Sequence, residues 1–343
     1  MLDTNFQLYN IKDVCIIHNA QSYLSIHETD PYITRIDTVP TLPIFTYPSS
    51  DIVNLNNIHI WQNNKIIPII PSDIDFDIRI EYILKHCWVE LTYTEFNTFY
   101  SEYLPKYHKQ LYAKTLNIAI KSIIGFNGVL LNKIKEAFNL ANSYNIRINS
   151  MIGPIYDPKF MDEIKSENEK FYYNNKQKIN NILIDYIRIG PYNKYVSHYG
   201  GLATILNHIN KNNSSFFPYI IADSNEITTY TDIVTALALG ANYVMCNNIF
   251  TSLLDSAAKF SGPHNFSIYK ILYINDKETE DKKLQFLLKH KQLYKNNSII
   301  PCTQTITQWA TSFTECLQTF MAECCVKNVK DFCGNVHCQI CLH

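Results

Sequence analysis

A (β/α)8 barrel with a flap-like excursion is the fold class that the sequence predicts, on the strength of three observations. Apolar segments typical of buried strands alternate with helical segments, in units of about 25–35 residues that imply a parallel sheet with crossover helices. About eight such units fit into the chain, which favours a closed barrel over an open doubly wound sheet. No Pro/Gly/Ser-rich linker divides residues 1–343, so the sequence predicts a single domain.

Eight segments have the composition of strands. In chain order they are LPIFTY (42–47), KIIPII (65–70), HCWVEL (86–91), LNIAIKSI (116–123), RINSMIG (147–153), DYIRIG (185–190), FPYIIAD (217–223) and NYVMCN (242–247). Pro48 ends the first of them, and Pro68 weakens the hydrogen-bond ladder of the second. The sixth stops at Gly190-Pro191, a turn of the kind that commonly holds a ligand at the carboxyl end of a strand.

Helical segments lie between the later strands. In VLLNKIKEAFNLANSY (129–144), Leu130, Ile134, Phe138 and Ala141 recur at helical spacing. The other candidates are DPKFMDEIKSENEKFY (157–172), with Asp157 as N-cap and Pro158 in the first turn, LATILNHIN (202–210), TDIVTALALG (231–240), which Gly240 closes, and IFTSLLDSAAKF (249–260). Residues 262–300 interrupt the alternation of strands and helices with a long, charged and polar stretch, which predicts a flap-like insertion over one end of the barrel.

Composition and charge exclude several classes of partner. Thirty basic and 31 acidic side chains nearly cancel, so no basic field is present to attract nucleic acid. The first 30 residues lack the basic start and apolar block of a signal peptide, and the longest apolar runs are too short to span a bilayer. The sequence therefore predicts a cytoplasmic protein, or a component of a virus particle, with no nucleic acid and no membrane partner.

Six of the ten cysteines fall in the last 28 residues. Cys338 and Cys341, with Cys333, His337 or His343, have the residue types of a zinc site. A second well-spaced cysteine pair is missing, however, and alternate residues of NVHCQICLH share one face as they do in a strand. A terminal strand is the favoured interpretation, and we expect no metal.

Four stretches, in order, resemble the family of IMP dehydrogenase and GMP reductase. They are YNIKDVCIIHNAQSYLS (9–25), LPIFTYPSSDIV (42–53), IRIGPYNKY (187–195) and YIIADSNEITTYTDIVTALALGANYVMCNNIF (219–250), and the last is the most specific. The resemblance spans most of the chain, and the length suits GMP reductase or a dehydrogenase without its CBS pair. It implies a purine nucleotide at the carboxyl-end mouth, a cysteine nucleophile, a nicotinamide cofactor, a mobile flap and an oligomer.

The positions that carry the family's chemistry are altered in this sequence. The nucleophile's position falls on Tyr195, a phenol that is almost wholly protonated at neutral pH, and Cys246 is the one cysteine near enough to replace it. The acid beside the cofactor falls on Lys121, which reverses the charge. Glu278, in the flap, is a weak match to the reductase's catalytic glutamate. We therefore expect no catalytic residue.

The nucleotide-binding positions are altered less uniformly. Asp223 keeps the acid that the family uses to hold the ribose hydroxyls, although an aspartate at a strand end equally caps the next helix. Asparagine stands at several positions where the family has glycine or serine, and only nine glycines occur in the chain. The candidate nucleotide-binding residues are Gly190, Pro191, Asn193, Asp223, Asn225, Asn247 and Asn248.

These changes favour an inactive member of the family with a binding or structural role, either in a homo- or hetero-oligomer or in a larger assembly such as a virus particle. It would bind a purine nucleotide weakly and use no cofactor. The alternative is an active purine nucleotide oxidoreductase of the GMP reductase or IMP dehydrogenase type, which uses NAD(P) with non-standard catalytic residues. A third interpretation is a barrel enzyme of different chemistry, in which Tyr195, His198 and Asp223 act as acid-base groups.

Overall fold

The chain folds around one parallel sheet that closes on itself. The computed structural model describes residues 9–19, 24–34, 39–121, 128–155, 159–190, 201–211, 216–257, 268–272, 298–302 and 304–340. Its strands are β1 (Val14–Ile16), β2 (Ile44–Thr46), β3 (Ile69–Ile70), β4 (Trp88–Thr92), β5 (Thr115–Lys121), β6 (Arg147–Ile155), β7 (Tyr186–Ile189), β8 (Tyr219–Asp223), β9 (Tyr243–Cys246), β10 (Ile268–Leu272), β11 (Ser298–Cys302) and β12 (Cys338–Ile340).

Strands β2 to β9 form the barrel. They form an eight-stranded sheet in the order β2-β9-β8-β7-β6-β5-β4-β3, and every neighbouring pair is parallel. The two edges meet through a parallel bridge between Phe45 and Ile67. Beyond that bridge, the Ile69 N–H donates to Thr46 Oγ1 at 2.9 Å. All eight predicted strands are present, and the predicted (β/α)8 fold is confirmed.

An aromatic layer fills the middle of the barrel. Alternation along each strand turns every second side chain inward. Phe45, Trp88, Tyr186 and Tyr243 meet there, with ring centroids 5.2–5.8 Å apart and mostly edge-to-face. These four side chains are buried, and edge-to-face packing is the arrangement that the ring quadrupoles favour.

The helices lie around the barrel and bury their apolar faces against the outside of the sheet. They are α1 (Ile58–Asn63), α2 (Phe76–Leu84), α3 (Tyr93–Thr98), α4 (Leu104–Leu111), α5 (Gly128–Ser143), α6 (Lys159–Asn175), α7 (Leu202–Lys211), α8 (Tyr230–Ala238), α9 (Asn248–Thr251), α10 (Ile306–Glu323) and α11 (Val329–Phe332). In α5 the four residues predicted from helical spacing are all buried. Helix α8 begins with a capping box between Thr229 and Asp232.

The predicted helix over 249–260 is wrong over residues 252–257, and residues 258–260 lie outside the described residues. Helix α9 ends at Thr251, because backbone donors that follow it bond to other segments. The Leu254 N–H donates to the Gln304 carbonyl at 2.9 Å, and the Ala257 N–H donates to the Ile52 carbonyl at 3.2 Å. Such long-range bonds cannot be read from local helical periodicity.

Two small sheets accompany the barrel. Strand β12 pairs antiparallel with β1, so the strand predicted near Cys338 is present. Strands β10 and β11, which fall largely within the predicted flap, pair in parallel, and the rest of that predicted flap lies outside the described residues. Within the described ranges, no helix is both long enough and apolar enough to cross a lipid bilayer.

Candidate functional site at the carboxyl end of the barrel

Charged side chains from four strands converge above the aromatic layer. Glu90 lies two residues beyond Trp88, Lys121 two beyond Ala119, Arg188 two beyond Tyr186 and Asp223 two beyond Ile221, so all four face inward. They lie toward the carboxyl ends of β4, β5, β7 and β8, which is the end where (β/α)8 barrels bind their ligands. We call these four residues the charge cluster.

Arg188 is the centre of the charge cluster. It is only 4% exposed, and its Nε and Nη2 donate to Asp223 Oδ2 at 2.9 and 2.8 Å. Its Nη1 lies 3.7 Å from Glu90 Oε1, and its guanidinium carbon lies 5.3 Å from the centroid of the Tyr47 ring. Burial alone would lower the pKa of Arg188, but the carboxylates of Asp223 and Glu90 outweigh it and raise that pKa above its ordinary value.

Lys121 is the member of the charge cluster that reaches solvent. Its side chain is 47% exposed, whereas that of Glu90 is 3% exposed. Lys121 Nζ lies 3.6 Å from Glu90 Oε2 and donates to Ser72 Oγ at 3.1 Å. The cluster contains two cations and two anions, so it neutralises itself without a ligand.

Two of the predicted nucleotide-binding residues, Gly190 and Asp223, are brought into contact. A Cβ added at Gly190 would lie 1.5 Å from the carbonyl oxygen of Asp223, so only glycine lets the backbones of β7 and β8 approach this closely. The Asp223 carboxylate, which the resemblance assigns to a ribose, accepts two hydrogen bonds from Arg188. The glycine therefore has a packing role, whether or not its turn holds a ligand.

The remaining predicted residues are spread along the same end of the barrel. Asn225 follows β8 and is exposed. Asn247 is half-buried at the start of α9, where its carbonyl oxygen accepts from Phe250 and Thr251, and Asn248 is exposed. Five positions named as candidates for the mouth and the flap lie outside the described residues: Pro191, Asn193, Tyr195, His198 and Glu278.

Cys246 is sealed from the mouth. Its neighbour Met245 faces the barrel interior, so Cys246 faces the helices and is 1% exposed. Burial raises the pKa of the Cys246 thiol, and the nearby Asp223 carboxylate raises it further. Because the thiolate is the nucleophilic form, this cysteine is poorly suited to act as the nucleophile that the resemblance implies.

Glu90 and Arg188 were not predicted as site residues, although the sequence carries a signal for both. Each is a charged residue within an otherwise apolar strand, in HCWVEL and DYIRIG. A charged side chain that points into the barrel needs a partner of opposite charge, because an unpaired buried charge is strongly unfavourable. That rule predicts a partner for each residue but does not identify it.

The described residues contain no group of three His, Cys, Asp or Glu side chains placed to hold a metal ion. In the part of the tail that the structure describes, burial raises the pKa of the Cys338 thiol to about 11 and that of Cys333 to about 12. Cys341 and His343, which the zinc interpretation also uses, lie outside the described residues.

Comparisons with known proteins add no family assignment. No family profile matches the chain, and a search of curated proteins also returns no match. The resemblance to IMP dehydrogenase and GMP reductase therefore rests on the quoted stretches of sequence alone and stays a prediction.

Proposed function

We propose that this chain is a divergent barrel of the IMP dehydrogenase/GMP reductase type that catalyses no hydride transfer and serves as a binding or structural protein. The observation that carries the proposal is the pairing of Arg188 with Asp223. The carboxylate that would receive a ribose is already bonded to a cation of the same chain.

A purine nucleotide would have to compete with that pairing. Asp223 Oδ2 accepts two hydrogen bonds from a charged donor, whereas ribose hydroxyls would supply neutral donors and no opposite charge. Freeing Asp223 would also leave Arg188 buried with only Glu90 as a counter-charge. We therefore expect IMP or GMP to bind weakly, with a dissociation constant of roughly 1 mM.

The described residues at the mouth offer few of the groups that hydride transfer requires. Lys121 stands where the resemblance places the acid beside a nicotinamide cofactor, and it is held by Ser72 and Glu90. The acid that is present, Glu90, is almost fully buried beneath it. These residues do not fit NAD(P) in the manner that the resemblance implies, so the proposal includes no cofactor.

In this proposal the chain acts in the cytoplasm or in a virus particle, as part of a homo- or hetero-oligomer. An assembly role suits a barrel whose mouth neutralises its own charges, because such a chain needs no substrate to complete its site. Light scattering on the purified protein gives its self-association directly. A monomer would restrict the proposal to an assembly with a different chain.

The test of the catalytic claim is NAD(P)H absorbance with IMP and NAD⁺, or with GMP and NADPH. We expect no turnover. A rate above about 0.1 s⁻¹, low beside typical enzyme values, would establish the oxidoreductase alternative if Lys121→Ala abolished it.

Thermal shift with IMP or GMP tests the role of the pairing. Arg188→Ala frees the Asp223 carboxylate and should bind nucleotide more tightly than the unchanged protein does. Lys133→Ala removes a surface cation and serves as the matched control. Equal nucleotide affinity in both variants would mean that Arg188 does not block the site.

A further inference from the structure

The amino end of the barrel holds a second candidate site, separate from the charge cluster. A cavity of about 920 Å³ opens there. Its wall includes residues at or just before the starts of β4 to β9, among them His86, Thr115, Arg147, Asp185, Tyr219 and Asn242. Barrel enzymes place their active sites at the opposite end, so a ligand here would use a surface that normally serves stability.

One wall of the cavity contains a buried acceptor without a donor. Asn149 is 7% exposed, and its Nδ2 donates to Asn117 Oδ1 at 2.8 Å. Asn117 Nδ2 in turn donates to the carbonyl oxygen of His86 at 2.8 Å, which fixes the orientation of both amides. Asn149 Oδ1 accepts no hydrogen bond from the described residues. Because this oxygen is itself fully buried, it lies behind the cavity wall and is not a contact that a ligand in the cavity reaches.

A second wall offers an aromatic surface. The Tyr219 side chain is 39% exposed, and its ring packs 5.5 Å from that of Tyr186 at an angle of 36°. Tyr186 belongs to the buried aromatic layer, so Tyr219 is supported from behind while part of it faces the cavity. A planar ring would find a stacking partner at this position.

The rim of the cavity is positively charged. Lys114, Arg147 and Lys330 are exposed there, and none forms an ion pair with another residue in the described part of the chain. Asp185 is the one acid in the described lining, and its Oδ2 accepts from the backbone N–H of Ser150. Three cations around one opening favour an anion.

We propose that this cavity binds a planar ring joined to an anionic group, the chemistry of a nucleoside monophosphate. The ring stacks on Tyr219, and its anion lies at the rim near Arg147. The inference does not depend on the function proposed for the charge cluster, because none of the cluster's residues lines this cavity.

Isothermal titration of the full chain with three probes tests both halves of the ligand. AMP carries the ring and the anion, adenosine carries only the ring, and inorganic phosphate carries only the anion. We expect AMP to bind at least about tenfold more tightly than either of the others, because each half alone loses one set of contacts. Equal affinity for AMP and phosphate would reduce the site to general attraction of anions and overturn the proposal.

Two variants locate the site. Arg147→Glu should weaken AMP binding at least about tenfold, and Lys109→Glu, an equal charge reversal at an exposed cation outside the cavity, should leave it unchanged. Tyr219→Leu should weaken AMP more than Tyr112→Leu, which alters an exposed tyrosine elsewhere. Lys121→Ala, at the mouth, should have no effect. Loss of AMP binding in Lys121→Ala with retention in Arg147→Glu would assign the nucleotide to the mouth and refute this inference.

Discussion

Removal of the Asp223 carboxylate should destabilise the protein strongly, because Arg188 has no adequate second partner. In Asp223→Ala the guanidinium loses two hydrogen bonds of 2.9 and 2.8 Å. The carboxylate that remains, Glu90, lies 3.7 Å away and is shared with Lys121. Breaking a buried ion pair typically costs ~3–5 kcal/mol, and the attraction to Glu90 that remains places the expected loss at the lower end, about 3 kcal/mol.

Guanidinium chloride denaturation measures this loss, and a surface pair supplies the control. Glu136→Ala breaks the Lys133–Glu136 pair on α5, which is also 2.8 Å long but solvent-exposed, and it should barely move the midpoint. The double variant Arg188→Met/Asp223→Leu removes both charges and should recover most of the loss seen in Asp223→Ala. Equal midpoints for Asp223→Ala and Glu136→Ala would refute the reasoning.

Three further outcomes are expected. Gly190→Ala should prevent folding to a stable barrel, because its Cβ would lie 1.5 Å from the carbonyl oxygen of Asp223. Gly128→Ala should be tolerated, because no atom lies within 4 Å of the added Cβ. Thermal denaturation of the two variants tests this difference. Burial raises the pKa of the Glu226 carboxyl, so the stability that its neutral form contributes is fully present below the unfolded-state pKa of about 4.3 and is lost as pH rises through the folded-state pKa. Glu226→Gln should therefore raise the free energy of unfolding at pH ~7 more than at pH ~4. An equal change at both pH values would contradict this. Alkylation followed by mass spectrometry should label the exposed Cys325 rapidly and the buried Cys246 only after denaturation, and similar rates would disprove the sealed position of Cys246.

The barrel was predictable because its strands carry their signal locally. Each strand is buried on both faces, so an apolar run such as HCWVEL or FPYIIAD marks it without knowledge of its neighbours. The end of α9 was not predictable in this way. It depends on the carbonyl oxygens of Gln304 and Ile52, which are far from it in the sequence.

The charge cluster shows a different limit. The position of Asp223 at a strand end was predicted, but its partner was not, because Arg188 reaches it through the register between two adjacent strands. Resemblance alone assigned Asp223 to a ribose, and only the geometry indicates that an internal cation competes for it. The amino-end cavity gave no signal in the sequence, since its wall is assembled from single residues at the starts of many strands.

The aromatic layer of Phe45, Trp88, Tyr186 and Tyr243 also determines how the two ends of the barrel can communicate. It separates the charge cluster from the amino-end cavity by a close-packed partition, which resists gradual deformation. Ligands on either side would share no atoms and no solvent. Unless the partition itself repacks, their binding free energies should therefore add, and occupation of one end should leave the affinity of the other unchanged.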